Sequence, residues 1–127
     1  MAIILVIDDD VGIRRFLARA LASEGHKVLE APDGLAGLTL FRERAPELVI
    51  TDIVMPGKEG IETIREMRRH TPRIKILAIS GSSFPHSAHY LDMAAKLGAD
   101  VTLLKPIRPA ELRDAVATLI GAGPQPS

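Results

Sequence analysis

The chain contains no cysteine in its 127 residues, which excludes disulfides, thiolate chemistry and cysteine-based zinc sites. Aromatic residues make up only 3% against 46% hydrophobic residues, so the core of a single domain of this length must be built from Leu, Ile, Val and Ala. Neither sign of charge predominates: 16 basic and 16 acidic residues cancel, which argues against direct nucleic-acid binding except through a local basic patch. Long apolar runs are missing too. Residues 2–7 are far too few to span a bilayer, and the acidic run directly after them is contrary to a signal peptide, so a cytoplasmic protein without a membrane partner is expected. There is no Gly-rich phosphate loop and no G-x-G-x-x-G, so a nucleotide is not indicated.

What the chain does have is alternation of short β-branched apolar runs with longer segments of helical period. Residues 3–7 read as a strand covered on both faces, because no polar residue interrupts them. Asp8, Asp9 and Asp10 follow. A helix over about 11–23 then carries Ile13, Phe16, Leu17, Ala20 and Leu21 on one face, with Asp9 or Asp10 placed to cap it and Gly25 to stop it. Residues 27–31 form a shorter, less apolar second strand. Pro32-Asp33-Gly34 turns into a second helix with Leu35, Leu38 and Phe41 on its apolar face. A third strand at 48–51 ends in Asp52, ahead of Pro56-Gly57. A third helix shows an Ile61, Ile64 and Met67 stripe and must end by Pro72. The fourth strand, 74–79, closes with Ser80-Gly81. A fourth helix is expected over about 86–97, then a fifth strand at 101–104, then Lys105-Pro106. The last helix starts near Pro109, turns Leu112, Val116 and Leu119 inward and stops at Gly121.

Five strand–helix pairs in strict alternation imply an α/β domain over residues 1–120. Its central parallel sheet is covered by helices on both faces, and residues 121–127 are a flexible tail or linker. Taken alone, Asp52 could be a turn former or a helix cap. In such a sheet, however, ligands collect beyond the carboxyl ends of the strands, and there Asp8–Asp10, Asp52, Ser80 and Lys105 all converge. Clustered carboxylates stay ionised when a cation joins them, and an all-oxygen donor set suits Mg²⁺ or Mn²⁺; no compact calcium loop is present. Lys105 can hold an anionic group as a point charge and Ser80 can donate a hydroxyl to it. Together these describe a site for moving a phosphoryl group onto or off Asp52.

The stretches I-L-V-I-D-D-D (residues 4–10), V-I-T-D-I-V-M-P-G (49–57), A-I-S-G (78–81) and L-L-K-P (103–106) resemble the signatures of the receiver domain of two-component response regulators, in family order and across nearly the whole chain. The resemblance implies a flavodoxin-like (βα)5 sandwich with strand order 2-1-3-4-5. It implies that Asp52 takes a phosphoryl group from a histidine kinase or histidine phosphotransfer protein. By the same resemblance, Asp8 and Asp9 hold Mg²⁺ together with Asp52 and the backbone carbonyl of Val54, Lys105 pairs with the phosphoryl oxygens, and Ser80 closes on them. Output would pass through the fourth helix, fifth strand and last helix to an output domain, an effector or a phosphorylation-dependent dimer.

Some positions depart from the family pattern. Thr102 stands where many receivers carry a switching aromatic, Ile107 where a Phe often follows Lys-Pro, and the loop at 81–89 is about three residues longer than usual. A hydrophobic Val54 predicts slower hydrolysis of an acyl phosphate. His70, His86 and His89 are expected as exposed residues rather than a metal cluster. Arg65, Arg68, Arg69, Arg73 and Lys75 are expected as a solvated helix face, whereas Arg14, Arg15 and Arg19 lie, by resemblance, where receivers meet their phosphodonor. Two other function classes fit the chemistry less well: an aspartate-nucleophile phosphatase, against which stand the small size and missing cap, and a receiver-like scaffold that works without phosphorylation.

Overall fold

A computed structural model describes residues 2–53, 59–81, 95 and 98–121. Within them run β1 (Ile3–Ile7), α1 (Val11–Ser23), β2 (Lys27–Ala31), α2 (Gly34–Arg44), β3 (Leu48–Asp52), α3 (Glu59–His70), β4 (Lys75–Gly81), β5 (Val101–Lys105) and α4 (Pro109–Ile120). The sheet order is β2-β1-β3-β4-β5, and every neighbouring pair is parallel. The alternation predicts the parallel sheet, and the flavodoxin-like strand order is the one the family resemblance implies. The helix expected over 86–97 and the longer loop before it lie outside the described residues, apart from Gly81 and Ala95.

The central strands β1, β3 and β4 are apolar on both sides because both sides are covered. Leu5, Ile7, Val49, Ile76 and Ala78 pack against Phe41 of α2 and Ile64 and Met67 of α3. Ile4, Val6, Leu48, Ile50, Leu77 and Ile79 pack on the other face against Leu17 and Leu21 of α1 and Leu112 and Val116 of α4. The edge strands β2 and β5 are only partly buried, which is why 27–31 read as less apolar. Asp10 caps α1, its carboxylate accepting from the Ile13 N–H at 3.0 Å, and Asp33 caps α2 through the Ala36 N–H at 2.8 Å. Gly25 at φ 92° ends the α1 turn in a conformation that a side chain resists.

Two apolar residues assigned to inward faces point outward. Leu35 is 77% exposed, because α2 presents Gly34, Gly37 and Phe41 to the sheet and the first-turn Leu35 lies on the far side. Phe16 is 40% exposed, because α1 seats Leu17, Ala18 and Leu21 and leaves Phe16 at the stripe's edge facing α4. Their exposure follows from how narrow the contact stripe is, not from any break in helical period.

Gly60 lies in the first turn of α3. A Cβ there would stand 2.6 Å from the Asp52 carbonyl oxygen and 2.7 Å from the Ile53 carbonyl carbon, so α3 presses directly on the backbone at the end of β3. The atoms it would meet are backbone and cannot swing away. Gly60→Ala is therefore expected to destabilise the protein by about 1–3 kcal/mol, read as a lower urea midpoint with unchanged m. An unchanged midpoint would contradict this close approach.

Candidate functional site

The period-2 alternation of strands decides which side chains meet at the carboxyl edge of the sheet. Ile4 and Val6 face the α1/α4 side, so Asp8, two residues on, continues that face; Leu48 and Ile50 place Asp52 there, and Leu103 places Lys105 there. Three strands thus deliver two carboxylates and one ammonium to one point. Lys105 Nζ lies 2.9 Å from Asp8 Oδ2 and 3.0 Å from Asp52 Oδ2. Asp8 is fully buried and Asp52 nearly so. The Lys105–Pro106 peptide is cis.

The acidic turn after β1 is braced rather than loose. Asp8 Oδ1 accepts the Asp10 N–H at 2.9 Å, and the Asp8 carbonyl accepts Arg14 Nη1 at 2.9 Å. Arg14 Nε in turn donates to Glu30 Oε1 at 3.1 Å. Arg14 is therefore a structural strut joining α1, β1 and β2, and only Arg15 and Arg19 of the trio remain exposed. No local sequence signal pairs Arg14 with Glu30; the contact is made by the strand order.

Carboxylate oxygens of Asp8, Asp9 and Asp52 lie within 4.8 Å of one another, with Asp9 exposed. Lys105 pairs with two of these three carboxylates, and a hard divalent cation with water on the exposed Asp9 side would balance the remaining charge, so the residues fit Mg²⁺ or Mn²⁺. Val54, expected to add a backbone carbonyl, lies outside the described residues. No other cluster of three such residues occurs among the described residues. His70 is exposed, packing edge-on against Phe41 at 5.8 Å, and His86 and His89 lie outside the described residues.

Ser80 follows the opposite parity from its strand neighbour Ile79. It is fully buried and sits one residue beyond Ile79, the partner of Asp52 in the β3–β4 register. Its Oγ has no hydrogen-bond partner among the described residues. A buried hydroxyl left without a partner is costly, so the end of β4 calls for an acceptor that the described residues do not supply.

Burial alone would lower the Lys105 pKa, but the hydrogen bond to Asp8 and the charge and hydrogen bond of Asp52 outweigh it, and the pKa is raised above 10.5. A lysine raised on folding stabilises fully at every pH below its unfolded value, and that stabilisation is lost as pH rises through the higher folded value. The difference in urea midpoint between the wild type and Lys105→Met is therefore expected to hold constant from neutral pH to about 10.5 and to shrink above it. A difference that grew above pH 10.5 would contradict the pairing.

The basic band, expected as one helix face, divides: Arg73 and Lys75 lie beyond the end of α3, in the turn before β4 and at its first residue. Arg65, Arg69, Arg73 and Lys75 are exposed as expected, with Arg69 pairing with Glu66 at 3.3 Å. Arg68 is instead half-buried and bonded to the chain before β4 and β5. No helix among the described residues is long and apolar enough to cross a membrane.

A family model described as "Response regulator receiver domain" matches residues 4–117. Among curated proteins, the chain is 34% identical over 119 residues to a probable transcriptional regulator ycf27 of Porphyridium aerugineum, covering 92% of this chain and 47% of that protein. It is 31% identical over 113 residues to sporulation initiation phosphotransferase F of Bacillus subtilis, covering 89% of each. A solved response regulator receiver domain protein from Clostridium thermocellum superposes with a TM-score of 0.87 at 32% identity, covering 94% of each chain. The chain spans about half the length of the ycf27 regulators it matches.

Proposed function

This chain belongs to the response regulator receiver domain family, and on that premise we propose that Asp52 accepts a phosphoryl group from a phosphohistidine and that the new charge switches what the domain binds. The observation that carries the reading is the position of Lys105 Nζ between Asp8 and Asp52, with the buried Ser80 Oγ, which has no partner among the described residues, on the neighbouring strand. An Asp52 carboxylate oxygen attacks phosphorus in line; the O–P bond forms as the N–P bond of the donor breaks, its electron pair stays on the nitrogen, and a proton on the other ring nitrogen of the phosphohistidine lets the imidazole leave neutral. The Lys105 ammonium stands where the equatorial oxygens gather charge. Asp8, Asp9 and Asp52 would hold Mg²⁺, or Mn²⁺, which when bound supplies further positive charge to those oxygens.

Once Asp52 carries the phosphoryl group, Lys105 pairs with its oxygens and the Ser80 hydroxyl gains an acceptor that the described residues do not give it. A coupling of about 1–3 kcal/mol is enough to shift a two-state equilibrium at the end of β4. The surface that reads the shift is β5 with α4 and the segment expected as a helix at 86–97. Leu104 is already 42% exposed there, and Thr102 stands in place of a switching aromatic. Ile107 is buried in the α1/α4 core, so it serves packing rather than readout. The phosphodonor fits the groove of about 640 Å³ between α1 and α4, where the exposed Phe16 offers apolar surface among Arg15, Arg19 and Arg113. The partner that fits is a histidine kinase or histidine phosphotransfer protein.

The test is incubation with acetyl phosphate, with and without Mg²⁺, followed by intact mass. One added phosphoryl group that depends on the cation supports the reading, and an unchanged mass with Mg²⁺ present overturns it.

A further inference from the structure

The position of Lys105 depends on the register of an edge strand that burial specifies poorly. β5 pairs with β4 alone, and none of its side chains is fully buried. Val101 and Leu103 pack toward the α1/α4 core while Leu104 faces the other way at 42% exposure. A slip by one residue would put Leu104 where Leu103 now packs, at little cost in buried apolar area. It would also turn Lys105 to the opposite face of the sheet, away from Asp8 and Asp52.

The register is held at the other end of the strand. Asp100, directly before β5, donates its N–H to the Ile76 carbonyl and accepts the Ile76 N–H on Oδ2, both at 2.8 Å. The same Oδ2 is bound by Arg68 Nη2 at 3.1 Å. Arg68 Nη2 also donates to the Gly98 carbonyl, and Nη1 donates to the carbonyls of Pro72 and Ile74 at 2.8 and 2.5 Å. One guanidinium therefore ties the end of α3, the entry to β4 and the entry to β5. Gly98 has φ 120°, and a Cβ there would lie 3.0 Å from Arg68 Nε, so the chain is shaped to seat this side chain. A planar fork with several fixed donors can make these bonds at once, and a lysine cannot.

We infer that Arg68 and Asp100 form a register lock for β5, which makes Arg68 a positioning residue that delivers Lys105 to Asp52 from the far end of the sheet. The effect on phosphorylation rests on the function proposed above; the lock itself does not.

The test uses the full chain as wild type, Arg68→Ala, Arg68→Lys, Lys105→Ala and the Arg68→Ala/Lys105→Ala double variant, at a temperature where all remain folded. Loss of the lock is expected to slow acetyl phosphate-dependent mass gain about tenfold in the Lys105 background and less than about twofold in the Lys105→Ala background. Arg68→Lys should fail to restore the rate. An equal fractional loss in both backgrounds means that Arg68 acts only through general stability, and it overturns the proposal. A second readout is independent of phosphorylation: NMR contacts between the paired residues Leu77 and Val101. They should weaken or split into two sets in Arg68→Ala or Arg68→Lys, and a single unchanged set in both variants overturns the lock. If the wild type gains no phosphoryl group, the proposed function fails while these contacts still decide the lock.

Discussion

Asp52→Asn is expected to lower phosphoryl uptake from acetyl phosphate by at least about a thousandfold, to the background of the assay, because it removes the attacking oxygen while keeping the side-chain shape. The substitution keeps an oxygen that can still accept from Lys105, which approaches Asp52 Oδ2 at 3.0 Å. The far-ultraviolet circular dichroism spectrum and urea midpoint should therefore show a folded protein that has lost its chemistry. Asp8 and Asp9 stay in place, so they test whether any nearby carboxylate would serve. The buried Asp8 is held by the Asp10 N–H on Oδ1 and by its ion pair with Lys105 on Oδ2. Uptake in Asp52→Asn at a rate near that of the wild type would contradict the assignment.

Lys105→Met is expected to separate two roles of the ammonium. Without a divalent cation it leaves Asp8 and Asp52 facing each other in a buried site, and breaking such a cluster costs about 3 kcal/mol. Millimolar Mg²⁺ should recover much of that loss, because a cation that binds only the folded state stabilises it by mass action. The phosphorylation rate should stay about a hundredfold below wild type even with Mg²⁺, since the charge that met the transferring oxygens is gone. Urea midpoints and uptake rates, each with and without Mg²⁺, check both parts. Recovery of the rate together with the stability would mean that Lys105 acts only as a structural counter-ion.

These effects could be anticipated from the sequence because the site is a product of local rules. Each strand is a short apolar run that ends in a polar residue, and parallel topology sends all strand ends to one edge. Asp8, Asp52 and Lys105 then share a face because each lies two residues beyond a core residue of its own strand. The legible part is therefore the topology; the face each residue takes is not, because a run apolar on both sides shows no alternation. What could not be read depends on contacts between elements distant in sequence. Arg68 and Asp100 are 32 residues apart, and nothing in R-R-H-T-P-R distinguishes the buried arginine from its exposed neighbours. Gly60 reads as an indifferent helix residue until the end of β3 is placed against it. Phe16 and Leu35 fit a helical stripe by period, yet whether a position at the margin of a stripe is covered depends on the neighbouring element, which local sequence does not specify.

The central claim is that the phosphoryl group resides on Asp52 as an acyl phosphate. Borohydride reduction of the wild-type protein after incubation with acetyl phosphate and Mg²⁺, followed by peptide mass mapping, tests it most directly, because an acyl phosphate on aspartate is reduced to homoserine. The account predicts homoserine at position 52 and nowhere else. Homoserine at position 8 or 9, or a phosphoryl group that survives borohydride on Ser80 or a histidine, would contradict it.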